Sequence, residues 1–369
     1  MTTRVVVALS GGVDSSTTAA LLVERGFDVI GIMMRLWGGA GPDGELYNRC
    51  CSPEAVADAR SVCVRLGIPF HLLNFEAQFK QRVVDFFLDG YAAGVTPNPC
   101  LECNRHIKFA ALMQQALALG ADYLATGHYA RVVQTPGGEY RLLKGLDPLK
   151  DQSYALSLLT QAQLAHAMFP LGDYTKTQVR QMARERGIHV AEKSESQELC
   201  FVAGDYRDFV REHRPSAFAP GPILDTAGRV LGRHQGLPAY TIGQRKGLGL
   251  AGGEPLYVVD IEPERNALIV GRQGEAWHDS LLVSGVNWIA GQPPAEPAEV
   301  SVKIRYKSAD APARLEPLDA GRARVVFAQP QRAITPGQAA VFYQGDVCLG
   351  GGLILRSRGA RGARAGDTA

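Results

Sequence analysis

Apolar residues in the first 200 positions follow two alternating patterns. Short apolar runs, which indicate buried strands, occur at residues 4–9, 29–34, 70–75 and 123–127. Between these runs, apolar residues recur every three or four positions, as on the buried face of a helix, at residues 15–25, 53–66 and 106–119. Strands that alternate with helices indicate βαβ units. The pattern therefore predicts an α/β fold built on a doubly wound parallel sheet.

Two local signals add detail to this first part of the chain. Residues 131–135 and 140–144 are predicted to form a hairpin, because Pro136-Gly137-Gly138 supplies a turn between them. Thr175 and Gln178 have the spacing of a capping box, so a helix is expected to begin there and to end near Gly187.

Helical spacing nearly disappears after about residue 200. One short helical pattern occurs at residues 205–213, and short apolar runs separated by turns follow it. A proline-rich stretch at residues 291–297 separates two sets of predicted strands. The second set has the size of a β-barrel of the kind that often binds RNA. We expect an α/β domain at 1–203, a small β-rich central domain at 204–280, a C-terminal β-barrel at 281–357 and an arginine-rich tail at 358–369.

Composition narrows the class of protein only slightly. Hydrophobic residues make up 46% and charged residues 21% of the chain, as in ordinary soluble enzymes. The first apolar run is too short for a signal peptide or a membrane span. Seven cysteines without such a signal favour a reducing compartment, so a cytoplasmic protein without membrane contact is expected. The net charge of +2 does not by itself indicate nucleic acid, and the arginine-rich tail is expected to be disordered.

The most specific local motif is SGGVDSS at residues 10–16, directly between the first predicted strand and the first helix. Glycines permit a tight turn close to a ligand, and N–H groups at a helix start bind phosphate oxygens. The loop has no Walker A lysine, so transfer of a γ-phosphate is not expected. Asp14 lies at the helix N-terminus, where it could hold Mg²⁺ or only cap the helix.

This loop resembles the PP-loop of the ATP pyrophosphatase superfamily, whose members cleave ATP between the α- and β-phosphates and adenylate a substrate oxygen. The resemblance implies ATP contacts at the loop and at the ends of two further strands. These positions are Ala8, Leu9, Ser10, Gly11, Gly12, Val13, Asp14, Ser15, Met34 and Gly127. Without the resemblance, Met34 would be interpreted as a core residue.

Cysteines occur in two polar segments that lie nearly a hundred residues apart. TPNPCLECNRHIKF contains Cys100 and Cys103, and SESQELCFV contains Cys200. We expect Cys103 at the start of a helix, where the helix dipole favours the thiolate. A CxxC pair alone is also compatible with a redox pair or half of a metal site.

No catalytic role is expected for the other four cysteines. Cys63 and Cys348 lie in apolar patterns, so we expect buried structural thiols. Cys50 and Cys51 follow a glycine-rich segment, and we predict a loop there that orders over ATP or RNA.

Seven segments, taken together, resemble the tRNA-specific 2-thiouridylases. In chain order they are SGGVDSS, RCCSPEAVADAR, TPNPCLECNRHIKF, ATGHYAR, LKDQSYAL, SESQELCFV and YTIGQRKGLG. The resemblance implies that ATP, with Mg²⁺, adenylates O2 of the wobble uridine of a tRNA. Sulfur then replaces the adenylated oxygen and gives 2-thiouridine, with release of AMP and pyrophosphate.

Carried over by position, the resemblance also assigns the sulfur chemistry. Cys200 would hold a persulfide delivered by a sulfur-relay protein or a cysteine desulfurase. Cys103 would be the nucleophile, and both cysteines would end as a disulfide that must be reduced. Some family members have Asp where this chain has Cys100. This departure leaves a second hypothesis open, in which Cys100, Cys103 and Cys200 ligate a four-iron four-sulfur cluster.

The tRNA partner follows from the same resemblance, which implies acceptors for Lys, Glu and Gln. The implied RNA contacts are His128, Lys150, Asp151, Gln152, Arg305, Tyr306 and Gln338. Lys150, Arg305 and Tyr306 are chemically suited to phosphate contact or base stacking. Two alternatives stay open: another enzyme of the superfamily that needs no cysteine pair, such as a lysidine-type tRNA ligase, and a non-enzymatic RNA-binding adaptor.

Overall fold

The computed structural model of the chain describes residues 2–38, 52–193, 199–250 and 254–356. Three sequence predictions fall outside these ranges: the loop at Cys50 and Cys51, the first part of the SESQELCFV segment, and the tail at residues 358–369. No helix in the described ranges is long and apolar enough to span a membrane.

Strands occur throughout the described part of the chain. They are β1 (Arg4–Leu9), β2 (Asp28–Arg35), β3 (Phe70–Asn74), β4 (Tyr123–Ala125), β5 (Ala130–Gln134), β6 (Tyr140–Lys144), β7 (Ala167–Met168), β8 (Gly221–Asp225), β9 (Val230–His234), β10 (Tyr257–Glu262), β11 (Ala267–Gly271), β12 (Trp277–Trp288), β13 (Ala298–Lys303), β14 (Ala311–Leu318), β15 (Arg322–Arg332), β16 (Ala339–Gln344) and β17 (Val347–Ile354).

Helices are concentrated in the first part of the chain, as the sequence predicts. They are α1 (Val13–Glu24), α2 (Pro53–Leu66), α3 (76–92), α4 (99–118), α5 (Ser153–Leu156), α6 (Gln161–Leu164), α7 (Lys176–Glu185) and α8 (Tyr206–His213). Both α3 and α4 contain a wider, π-helical stretch in their middle. The predicted capping box of Thr175 and Gln178 is present at the start of α7.

A five-stranded parallel sheet forms the centre of the first domain, in the order β3-β2-β1-β4-β7. Side chains of successive strand residues point to opposite faces. Val5 and Val7 therefore join a core with residues of α1 and α2, whereas Val6 joins the core that contains residues of α3 and α4. The predicted doubly wound parallel sheet is confirmed.

The second part of the chain forms two β structures. The central sheet has the order β10-β11-β8-β9, with β8 and β11 parallel to each other. Strands β12, β15, β14, β13, β16 and β17 form a barrel, which closes because β12 also pairs with β17. Its interior is apolar and includes Val302, Leu315, Val325 and Phe342. The predicted β-rich central domain and C-terminal barrel are confirmed as architecture.

The predicted hairpin, formed by β5 and β6, joins the first domain to the barrel. Strand β6 pairs with β17, so that Leu142 lies opposite Cys348. The ammonium group of Lys144 also forms an ion pair with Asp310 of the barrel. The barrel therefore continues into the α/β domain through one sheet. The predicted boundaries at residues 203/204, 280/281 and 357/358 stay predictions.

Candidate active site

The SGGVDSS loop lies at the carboxyl end of β1 and is held by its own serines. The N–H of Ser10 donates to Oγ of Ser15 over 3.1 Å, and Ser15 Oγ donates to the carbonyl oxygen of Gly12 over 3.2 Å. Gly12 is the N-cap of α1, and no side chain of the described residues caps the helix there. The first-turn N–H groups can therefore bind an anion such as phosphate.

Two glycines let other backbone segments approach this loop. Gly11 has a φ of +69°, and a β-carbon there would lie 2.5 Å from the carbonyl oxygen of Ala55 in α2. A β-carbon on Gly127, just after β4, would lie 2.9 Å from the backbone nitrogen of Ser15. Larger residues would push α2 or the end of β4 away from the loop. The predicted ATP contact Gly127 thus lies against the start of α1, and Met34 is buried at the end of β2.

Asp14 carries an ion pair that sequence reasoning missed. Its two carboxylate oxygens accept from the ammonium group of Lys176 over 2.7 and 2.8 Å, and one also accepts from the Tyr129 hydroxyl over 2.7 Å. Only 11% of the Lys176 side chain is exposed. Asp14 does not act as the N-cap, since that position belongs to Gly12. The sequence showed Lys176 only as the first residue of a capped helix, with no local signal that it returns to the loop.

A second lysine, Lys193, also contacts this loop. Its ammonium group donates to the carbonyl oxygen of Gly11 over 3.3 Å and to Asp58 over 2.7 Å. His189 also lies 2.9 Å from Asp58. Burial alone would raise the pKa of the Asp58 carboxyl, but its hydrogen bonds with Lys193 and His189 outweigh burial and lower that pKa. Lys193 therefore ties the segment before the Cys200 motif to the loop.

Cys100 and Cys103 both lie on α4, but this helix begins earlier in the chain than the sequence predicts. The helix begins at Pro99, earlier than the predicted residue 106, because the Asn98 side chain caps it by accepting from the N–H of Cys100. Cys103 therefore lies in the second turn, and the expected position at the helix start is wrong. The exposed Cys100 lies in the first turn instead. The sequence missed this start because Pro97-Asn98-Pro99 looked like a loop.

Cys200 and Cys103 lie at the margin of the same hydrophobic core. Both are half-buried. The neighbour of Cys200, Phe201, is buried in edge-to-face contact with Phe79 and Phe87 of α3. This aromatic anchor fixes the segment of Cys200 against the helix that precedes α4.

The iron–sulfur hypothesis finds no support in this arrangement. Among the described residues, which include Cys100, Cys103 and Cys200, no group of three His, Cys, Asp or Glu side chains could hold a metal ion. The three cysteines are therefore not grouped as cluster ligands in this structure.

Side chains of the barrel support the segment that leads into α4. The side-chain nitrogen of Gln338 donates to the carbonyl oxygen of Thr96 over 2.9 Å. The N–H of Thr96 donates to the carbonyl oxygen of Pro336 over 3.1 Å. The buried Tyr154 donates from its hydroxyl to the carbonyl oxygen of Ala339 over 3.1 Å. Gln338, predicted as an RNA contact, thus uses its amide group inside the protein.

Other predicted RNA contacts also make internal hydrogen bonds. Asp151 is buried and accepts from the N–H groups of Gly145 and Ser153, each over 3.0 Å. Gln152 accepts from the N–H of Tyr129 over 3.0 Å. These side chains shape the turn before α5.

Arg305 connects the barrel to the central domain. One guanidinium nitrogen donates to the hydroxyl of Thr335 over 2.7 Å and also to the carbonyl oxygens of Ala333 and Ile242. Burial lowers the pKa of this guanidinium, with a further contribution from Arg332. Tyr306, the next residue, is 37% exposed, and Lys150 is half-buried. These two remain accessible to a large partner.

His128 is buried at the carboxyl end of β4 between two polar groups. Its Nδ1 lies 2.6 Å from the hydroxyl of Thr126, and its Nε2 lies 3.4 Å from the ammonium group of Lys108. An ammonium group only donates, so Nε2 accepts and the ring proton is assigned to Nδ1. Burial, with a contribution from the charge of Lys108, lowers the pKa of His128 well below its ordinary value. The ring is therefore neutral at physiological pH.

Comparisons with known proteins identify the three domains and the family of the chain. Residues 3–204 match a family described as the tRNA methyl transferase HUP domain, so the first domain is an α/β domain of the HUP class. Residues 207–272 match the tRNA methyl transferase PRC-barrel domain, and residues 278–354 match the aminomethyltransferase beta-barrel domain.

Curated relatives define the family more closely. The tRNA-specific 2-thiouridylase MnmA of Moorella thermoacetica is 54% identical over 94% of this chain and 98% of its own length. The protein of the same name from Carboxydothermus hydrogenoformans is 52% identical over 95% of this chain and 97% of its own. The chain belongs to the family of tRNA-specific 2-thiouridylases. A solved 4-thiouridine synthetase–RNA complex with bound ATP is 16% identical, with a TM-score of 0.33; the match covers 58% of this chain and 51% of that one.

Proposed function

We propose that this chain is a tRNA 2-thiouridylase, which replaces O2 of the wobble uridine by sulfur. Beyond family membership, one observation carries the proposal: the helix of Cys103 and the phosphate loop meet at one edge of the sheet. Lys108 on α4 reaches His128, and the adjacent Gly127 contacts the first turn of α1. Cys103 precedes Lys108 by little more than one turn, within about 8 Å along the helix axis. A thiol and an activated base can therefore meet there.

ATP is proposed to bind with its phosphates on the SGGVDSS loop and its adenine near Met34 and Gly127. The proposed contacts are those predicted from the sequence: Ala8 to Ser15, Met34 and Gly127. The Asp14 carboxylate lies at the loop and would hold Mg²⁺, which commonly takes phosphate oxygens and waters as its other ligands. Uridine O2 then forms a bond to the α-phosphorus, and pyrophosphate leaves with the electron pair of the broken P–O bond.

Sulfur transfer is proposed to use Cys200 and Cys103 in turn. Cys200 carries the persulfide, whose terminal sulfur attacks C2 of the adenylated uridine and displaces AMP together with the former O2. The Cys103 thiolate then attacks the Cys200 sulfur, which breaks the S–S bond and leaves sulfur on the base. In a second order of events, Cys103 attacks first and releases sulfide, which attacks C2. Either way, two thiols are oxidised to a disulfide, the transferred sulfur is reduced, and an external thiol resets the enzyme.

The partners are proposed from the same chemistry. The RNA substrates are tRNAs with a wobble uridine, among them acceptors for Lys, Glu and Gln, and Lys150 and Tyr306 are the accessible contacts. The sulfur donor is a persulfide-carrying relay protein or a cysteine desulfurase. We place the reaction in the cytoplasm, since the cysteine pair must be reduced between turnovers.

The first half-reaction gives a test that needs no sulfur donor. ATP labelled at the α-phosphate is incubated with the protein, Mg²⁺ and a tRNA transcript with uridine at the wobble position. We expect pyrophosphate release and label on the tRNA, followed by AMP release when persulfide is added. The matched control is the same transcript with cytidine at that position. Equal AMP production with both transcripts, or release of ADP, would contradict the proposal.

A further inference from the structure

The phosphate loop has no lysine of its own, but a buried lysine from another helix reaches it. Lys176 is the first residue of α7, and its ammonium group lies on the Asp14 carboxylate in the first turn of α1. We infer that Lys176 binds the β- and γ-phosphates of ATP and then the pyrophosphate that leaves. The inference rests on the proposed function, because it assumes that the loop binds ATP.

Helix packing alone does not explain this ion pair. Helices α1 and α7 run parallel, since Asp14 and Lys176 pair at their N-terminal ends while Glu24 and Arg186 pair at the other ends over 2.7 Å. The two helices are also joined by apolar contacts that include Leu21 and Val179. A lysine in the first turn of a helix opposes the helix dipole, and burying its charge costs desolvation. A residue that is unfavourable for stability at a ligand loop indicates a role with the ligand.

Lys176 and the open N–H groups of α1 meet at this end of the helices. Lys176 contributes a full positive charge, and each helix N-terminus contributes about half of one. Asp14 and Asp147 offset these charges, because Asp147 accepts from the backbone N–H of Lys176 over 2.9 Å. The N-terminus of α7 is therefore already bound to a carboxylate, whereas the Gly12 end of α1 has N–H groups that can bind phosphate oxygens. The ammonium group of Lys176 reaches the same first turn of α1, so one triphosphate can contact both.

The geometry assigns Asp14 the role of holding Lys176 before ATP binds. The Tyr129 hydroxyl donates to the same carboxylate oxygen as one Lys176 contact, so Asp14 keeps a hydrogen bond when the lysine leaves. Lys176 then exchanges the carboxylate for phosphate oxygens. When the bond between the α-phosphorus and the bridging oxygen breaks, the ammonium group balances the charge that pyrophosphate gains.

Calorimetric titration of the full-length protein with ATP, AMP and inorganic pyrophosphate, each with Mg²⁺, tests the inference. Lys176→Met is expected to weaken ATP and pyrophosphate binding about ten- to a hundred-fold, the usual effect of losing a hydrogen bond to a charged group. AMP binding, which lacks these phosphates, is expected to change less than about threefold. The matched control is Arg186→Met, which removes the other ion pair between the same helices and should leave all three affinities unchanged.

A further variant and thermal melting separate binding from folding. Lys176→Met leaves the Asp14 charge without its ion pair, so thermal melting checks that the variant folds. Lys176→Arg is expected to retain most pyrophosphate affinity. Unchanged ATP affinity in a folded Lys176→Met variant, or an equal loss for ATP and AMP, would overturn the inference. Normal nucleotide binding without any thiolated uridine would instead contradict only the proposed function.

Discussion

The side-chain amide of Gln338, in the barrel, donates to the carbonyl oxygen of Thr96, in the segment that leads to Cys100 and Cys103. A second hydrogen bond runs from the N–H of Thr96 to the carbonyl oxygen of Pro336. The barrel therefore fixes the entry to the cysteine helix. Residues of the barrel can influence sulfur chemistry without touching the reacting atoms.

Gln338→Leu should lower turnover more than it weakens tRNA binding. The substitution removes the hydrogen bond to Thr96 and costs about 1 kcal/mol of unfolding free energy. The segment before Cys100 then becomes less well fixed, so kcat for thiolation is expected to fall several-fold while KM for tRNA changes little. Steady-state thiolation kinetics and thermal melting measure both effects.

Gln329→Leu is the matched control for this prediction, because Gln329 is an exposed glutamine on the barrel strand β15. It should leave kcat and the melting temperature unchanged. If Gln338→Leu raised only the KM for tRNA, Gln338 would be an RNA contact after all.

Arg305→Met is expected to reduce stability rather than the electrostatic part of tRNA binding. The guanidinium is part-buried and bonded to Thr335 and two carbonyl oxygens, so its loss leaves acceptors unsatisfied, at a cost of about 1–3 kcal/mol. The slope of log binding constant against log salt should match that of the wild type. A slope reduced by about one would instead identify Arg305 as a phosphate contact.

The buried ring of His128 should make stability fall at acidic pH. Because burial lowers its pKa in the folded protein, the unfolded chain binds a proton near the ordinary value of 6.5 while the folded protein does not. Unfolding free energy should therefore decrease as the pH falls below that value, by at most about 1.4 kcal/mol per pH unit from this group.

Denaturant unfolding of wild type and His128→Gln between pH 5 and 8 measures this contribution. The difference between the two proteins should shrink as the pH falls, because only the wild type loses the histidine contribution. His234→Gln serves as a comparison, since burial also lowers the pKa of His234. A pH-independent difference at position 128 would contradict the assignment.

Alkylation should separate the cysteines by their environments. Burial raises the pKa of the Cys63 thiol to about 11 and that of Cys348 to about 12, so their thiolate fractions are negligible near neutral pH. Cys100, which is exposed, should react with iodoacetamide before both of these buried cysteines in the native protein. Peptide mass spectrometry after a short reaction reads out each site, and denatured protein gives the reference. Native labelling of Cys63 ahead of Cys100 would contradict the burial.

Local sequence signals were sufficient to predict the parallel sheet and the phosphate loop. The SGGVDSS loop, the capping box at Thr175 and the buried cysteines Cys63 and Cys348 each depend on neighbours in the chain or on apolar periodicity. Prolines next to Asn98 obscured the start of α4, although the same residues form a capped helix start. The predicted position of Cys103 within the helix was therefore wrong by one turn.

Long-range contacts could not be predicted in the same way. Lys176 meets Asp14, and Gln338 meets Thr96, only because separate elements are brought together by packing. The family resemblance predicted Arg305 as an RNA contact, but gave no sign that its guanidinium makes hydrogen bonds between two domains. A single sequence contains no periodicity or spacing that encodes such pairs.

Nucleoside mass spectrometry of tRNA tests the central claim most directly. The tRNA is incubated with ATP, Mg²⁺, a persulfide donor and either the wild-type protein, Cys103→Ser or Cys200→Ser. Its anticodon fragment is then sequenced by mass spectrometry. We predict 2-thiouridine at the wobble position with wild type and none with either variant. Full thiolation by both variants, or no thiolated uridine with active wild type that releases AMP, would contradict the account.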